Sequence, residues 1–175
     1  MNRTIEIIAE ITTPSAAWTI QRVTFADPAD EAANTEPVGV RKDGEFVEAF
    51  GGSFPEYAAR EYIAKQLSVE DIASAFEAAR EAVKAVPYHG NTGTCNFDCP
   101  EVKIPARLGR RFQKAAALAG VELTTNSGRY SKGWAWVHGV GVGTQQGLQQ
   151  TVEAEAARKA LQAHGLHASV HYAVD

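Results

Sequence analysis

The chain opens on an alternation. Ile5, Ile7, Ala9 and Ile11 recur at every second position, with Glu6 and Glu10 between them, the period of a half-buried strand. The pattern returns over residues 17–25 through Trp18, Ile20, Val23 and Phe25. Val38–Lys42 and Glu45–Phe50 then flank Asp43-Gly44. Asp-Gly between two strand-like runs predicts a hairpin, because both residues tolerate the left-handed backbone of a tight turn. The first fifty residues therefore predict an antiparallel sheet of about four strands, with the acidic, Ala-rich stretch Asp27–Glu36 as a loop.

The period then changes. Gly51-Gly52-Ser53 breaks the sheet, and Pro55 suits the first turn of a helix. Tyr57, Tyr62, Ile63 and Leu67 share one face of it. Ser68-Val69-Glu70-Asp71 has the form of a capping box with Asp in the last position. Ile72, Phe76, Ala79 and Val83 follow at helical spacing, and this second helix is expected to end before Pro87.

Beyond Pro100 the order of elements becomes specific. Val102–Ile104 reads as a short strand. Ala106–Ala119 reads as a helix stopped by Gly120. Val121–Thr125 is a strand, Asn126-Ser127-Gly128 a turn and Gly133–His138 another strand. A helix follows from Gln145 to His164, stopped by Gly165, and His167–Val174 is the last strand. Strand–helix–strand–strand–helix–strand is the ferredoxin-like order. Right-handed crossovers place both helices on one face of its sheet, with Gly133–His138 in the interior. The expected fold is α+β: an antiparallel sheet and two helices over 1–90, then a ferredoxin-like βαββαβ module over 91–175.

Charge supports that division. Residues 1–90 carry 8 Lys+Arg against 15 Asp+Glu, a balance of −7, and residues 91–175 carry 9 against 6, a balance of +3. No apolar run reaches bilayer length, and the first ten residues read as a strand, not a secretory signal. The expected compartment is the cytoplasm.

Candidate chemistry lies in the second half. Alternation puts Trp134, Trp136 and His138 on one face of their strand and Ala135 and Val137 on the other. The small residues suit the face under the helices. The tryptophans then form either a base-stacking surface, as in RNA-recognition domains of this topology, or an interdomain core beneath the N-terminal half. Gly139-Val140-Gly141-Val142-Gly143-Thr144 leads into the last helix. Glycines and free amides there suit an anion, with Thr144 as cap, although the loop has neither the Lys of a P-loop nor a Rossmann fingerprint. Arg107, Arg110, Arg111 and Lys114 cluster on the preceding helix as a candidate nucleic-acid or partner surface.

The loop Gly90–Pro100 holds both cysteines. Cys95 and Cys99, with His89 or His138, do not have the paired spacing of structural zinc, so no metal is expected. Asn96 and Asp98 are expected to hydrogen-bond the loop's own backbone. No catalytic constellation and no cofactor motif stands out.

Gly93-Thr94-Cys95-Asn96-Phe97-Asp98, the basic Ala-rich helix ending at Ala119-Gly120-Val121, and the close from Ala163 to Asp175 together resemble small bacteriophage and prophage accessory proteins. The resemblance covers roughly residues 75–175. In those relatives a Ser or Thr often stands where this chain has Cys99, which weighs against a paired-cysteine metal site or disulfide. It implies an accessory role inside the bacterial host, a counter-defence factor that blocks a host immune protein or sequesters an anionic nucleotide. The leading expectation is thus a non-enzymatic binding protein acting on a host protein or a small anionic nucleotide. The alternatives are an RNA- or DNA-binding module using Trp134, Trp136 and the Arg110–Arg111 helix, and an enzyme using Cys95.

Overall fold

The computed structural model describes residues 3–25, 38–89, 98–125, 132–141 and 147–173. The loop expected at Asp27–Glu36 and the turn at Asn126–Gly128 lie outside the described residues. Strands β1 (Arg3–Thr12), β2 (Ala17–Phe25), β3 (Val38–Lys42) and β4 (Glu45–Phe50) pair antiparallel in chain order. Asp43 and Gly44 carry φ of 49° and 83°, the left-handed pair that a two-residue hairpin turn requires. The alternation of β1 is broken once. Its register against β2 slips between Ile7 and Ala9, and a bulge of this kind moves the residues on one side of it to the other face. Ile11 is therefore buried, whereas Ile5 and Ile7 are 47% and 56% exposed.

Helix α1 (Pro55–Gln66) buries Ala59, Ile63 and Ala64 and packs on the first sheet. Helix α2 (Val69–Lys84) starts at the expected capping box. Ser68 Oγ accepts from the Asp71 amide at 3.0 Å and Asp71 Oδ2 accepts from the Ser68 amide at 2.9 Å. The buried Asp71 carboxylate also accepts from the Ser15 amide at 3.0 Å and the Ser15 hydroxyl at 2.7 Å. One side chain thus ties the β1–β2 turn to the start of α2. Burial pushes its pKa up, but the hydrogen bonds from Ser15 and Ser68 outweigh this and hold it below the ordinary carboxylate value.

The second half supplies β5 (Cys99–Lys103), α3 (Gly109–Ala119), β6 (Glu122–Thr125), β7 (Trp134–His138), α4 (Gly147–Ala163) and β8 (Ala168–His171). Its sheet runs β6-β7-β5-β8 with every neighbouring pair antiparallel. The chain is mixed α/β, with one antiparallel sheet in each half, and β7 is an interior strand. Helix α2 packs on both α3 and α4, which lie on the second sheet. One buried cluster runs from Ile11 and Ile20 through Ile63 and Phe76 to Phe112, Leu161 and Val102. No described helix is long and apolar enough to cross a membrane.

Several boundaries differ from expectation, two of them at the start of an element for a plain backbone reason. Helix α3 begins at Gly109, not Ala106, because Arg107 takes a φ of 71° that no α-helix admits. Strand β5 begins at Cys99, three residues early, and so carries Pro100 between two neighbours. Ile104 donates to Gly133 O next to β7, while Lys103 donates to His167 O next to β8. Even-numbered residues of β5 therefore face β7, and Pro100 has no N–H to offer Val137 there. The Cys99 thiol donates to Val137 O instead, with sulfur at 3.8 Å.

Candidate functional site

Registers and alternation place Cys99, Glu101 and Lys103 of β5, Trp134, Trp136 and His138 of β7, and Ser169 and His171 of β8 on one face of the second sheet. The opposite face presents the buried Val102, Ala135, Val137 and Ala168 to α3 and α4. Helix α2 and strand β1 pack onto these helices, on the far side of the sheet from the tryptophans, while α1 reaches the edge of the tryptophan face through Tyr57. Trp134 and Trp136 are half-buried and stand outside the core cluster. Among the described residues the N-terminal half reaches this face only at its Trp134 end, where Tyr57 of α1 meets His167.

The face has two aromatic centres. At one, the Trp136 ring lies 6.3 Å from that of His138, at 79°, and 5.5 Å from that of His171. At the other, Trp134 meets His167 edge-on at 5.1 Å, and His167 meets Tyr57 of α1 edge-on at 4.4 Å. Lys103 Nζ stands 5.7 Å from the Trp134 ring centre and donates to Lys132 O at 2.6 Å. Burial first, then the charges of Arg60 and Lys103, lower the pKa of His167 to about 4, so it is neutral at pH 7. It is a brace for the Trp134 ring and not a charge.

A cavity of about 440 Å³ opens beside Trp136, within the range of small-molecule sites. Cys99, Trp136, His138 and His171 line it together with Gly139 and Val140 at the start of the glycine loop. Gly139 and Gly141 have φ of 82° and 124°, which lets the chain turn sharply off β7. Asp98 fixes the cavity's margin. Its carboxylate accepts from Thr151 Oγ1 of α4 at 2.5 Å and from the Ala173 amide at 3.2 Å, and its carbonyl accepts from Gln150 Nε2 at 3.0 Å. Asp98 was expected to bond its own loop. The rest of that loop lies outside the described residues; among those described, Asp98 ties β5 to the first turns of α4 and to the end of β8.

The expected site residues separate. Trp136, His138 and Gly139 meet at the cavity, with Gly141 two residues beyond Gly139 and Trp134 two residues along β7. Gly143 and Thr144, like Cys95 and Asn96, lie outside the described residues. The basic cluster stands apart. Arg111 donates to Lys65 O at 3.1 Å and Leu67 O at 2.9 Å and closes the end of α1, while Arg107, Arg110 and Lys114 are exposed on the helix side of the sheet. A single surface made of the tryptophans and the Arg110–Arg111 helix is therefore not what the fold builds. His171, Cys99 and Lys103 were missed. Alternation along β5 and β8 marks their face, but only the strand order brings them beside Trp136.

The chemistry of the face is stacking and hydrogen bonding. Burial pushes the Cys99 thiol up to about 11, so it stays protonated at neutral pH. Trp136 Nε1 is buried without a hydrogen-bond partner among the described residues. Among the described residues no group of three His, Cys, Asp or Glu is placed to hold a metal ion. Comparison with protein-family models, with curated proteins and with solved structures finds no match.

Proposed function

We propose that this protein is a non-enzymatic binding protein that holds a nucleobase-bearing, anionic ligand on the open face of its second sheet. The order β6-β7-β5-β8, with both helices on the other face, supports reading the second half as ferredoxin-like. In that arrangement the two central strands are the natural stacking platform, and here they are β5 and β7. The observation that carries the reading is Trp136. It is a half-buried indole on the central strand, flanked by His138 and His171, walling a cavity of about 440 Å³ next to a glycine turn. A planar ring gains from stacking there, and the imidazoles of His138 and His171 supply polar contacts at its edge. The phage accessory role implied by resemblance offers two occupants, a host immune protein or a sequestered nucleotide. The stacking geometry supports an occupant that carries a nucleobase.

Isothermal titration with adenosine monophosphate tests this. The wild-type chain is expected to bind, and Trp136→Ala to weaken binding by about tenfold, as loss of one stacking ring does. Unchanged affinity in a folded Trp136→Ala chain would sink the proposal.

A further inference from the structure

We propose that the occupant is a single-stranded nucleic acid and not a free nucleotide, with successive bases on Trp136 and Trp134 and phosphate at Lys103 and Lys132. This rests on the binding reading above and names its ligand class. Trp134 and Trp136 are two residues apart on one strand and share a face. Their attachment points are thus about 6.6–6.8 Å apart, roughly twice the 3.4 Å rise of stacked bases in a duplex. Two rings at that distance suit bases splayed out of a stack, the form in which single strands are read. The cavity accounts for Trp136 alone, since Trp134 does not line it. One base in the cavity would leave the braced, half-exposed Trp134 without a role.

Charge points the same way. Lys103 Nζ stands at the Trp134 end and donates to the backbone carbonyl of the exposed Lys132, and no carboxylate pairs with either lysine among the described residues. Glu101 stands opposite Trp136 in register. The Lys103 ammonium beside the Trp134 ring, with the exposed Lys132 two residues before that ring in the chain, directs phosphate toward Trp134. The balance of +3 in the second half of the chain agrees with a modest polyanion partner.

The test compares an adenylate tetranucleotide with adenosine monophosphate by isothermal titration at two salt concentrations. The tetranucleotide is expected to bind at least about tenfold tighter. Trp134→Ala should weaken the tetranucleotide by at least about fivefold and leave the mononucleotide unchanged. Two phosphate contacts predict a log–log salt slope of about −1.4, or about sevenfold weaker binding from 50 to 200 mM salt. The double variant Lys103→Gln, Lys132→Gln should flatten that slope, and being confined to the surface it reads out even where Trp134→Ala disturbs the sheet. A tetranucleotide that binds no tighter than the mononucleotide, with no salt slope, overturns the single-strand inference and leaves a one-base pocket. If neither probe binds, the binding reading falls with it.

Discussion

Single residues in this chain do work that their types alone would not suggest. Cys99 is the clearest case. Its spacing from Cys95 argues against a metal ligand, and in the fold its thiol lies 3.8 Å from Val137 O, the carbonyl to which Pro100 has no N–H to offer. Burial lifts its pKa to about 11 from an ordinary 9.0, so little thiolate forms. In a Cys95→Ser background, alkylation by iodoacetamide at pH 8 should run about a hundredfold slower than for a free thiol; labelling at the free-thiol rate would contradict the assignment. His167 gives a second measurable consequence. Its folded pKa of about 4 lies below the ordinary 6.5. The unfolded chain therefore takes up a proton between these values while the folded chain does not, and stability falls as pH drops from 6.5 to 4. The loss should be on the order of 1–2 kcal/mol for this partly exposed group. His167→Gln should flatten that part of the pH–stability curve in denaturant melts.

At the scale of elements, what the sequence made legible depends on how local the physics is. The Asp43-Gly44 hairpin, the Ser68–Asp71 capping box and the glycine stop at Gly120 follow from backbone chemistry over a few residues, and all are present. The face of β7 was also readable, since alternation separates Trp134 and Trp136 from Ala135 and Val137. Two features resisted. The bulge after Ile7 is set by pairing with β2 and not by β1 itself, so a uniform alternation was expected to bury Ile5 and Ile7. Pro100 suggested a loop because a central strand ordinarily excludes proline, and only the Cys99 thiol makes its place tolerable. The assembly of the cavity margin by Asp98, Thr151 and Ala173 joins positions far apart in the chain, which no local pattern encodes. The capping box carries its own prediction. Asp71 serves α2 and the β1–β2 turn together, so Asp71→Ala should cost about 2–4 kcal/mol, more than a cap alone, from loss of the cap and two further charge-assisted bonds. Ser68→Ala, which spares the Ser15 bonds, should cost about 1 kcal/mol. Equal costs in chemical denaturation would show that the tie to Ser15 contributes nothing. Because the folded pKa of Asp71 is lowered, its contribution is present above the ordinary 3.8 and is lost as pH falls below it.

For the whole molecule, the arrangement divides labour between its layers. The first sheet and α1 and α2 bury the outer side of α3 and α4, and those helices bury the Ala135–Val137 side of the second sheet. The remaining face carries two tryptophans, three histidines and Lys103, and it is the surface on which the proposal places a ligand. Stability and binding should therefore separate. Leu161→Ala, in the core, should cost about 2–5 kcal/mol, whereas Trp136→Ala should cost less and act on affinity. The most direct measurement is nuclear magnetic resonance of the indole Nε1–H groups, because the chain has 3 tryptophans and they report on different layers. Titration with an adenylate tetranucleotide should shift the Trp136 and Trp134 signals together and leave that of Trp18, 4% exposed beneath the first sheet, in place. A titration in which the Trp136 signal does not move at saturating ligand would contradict the account.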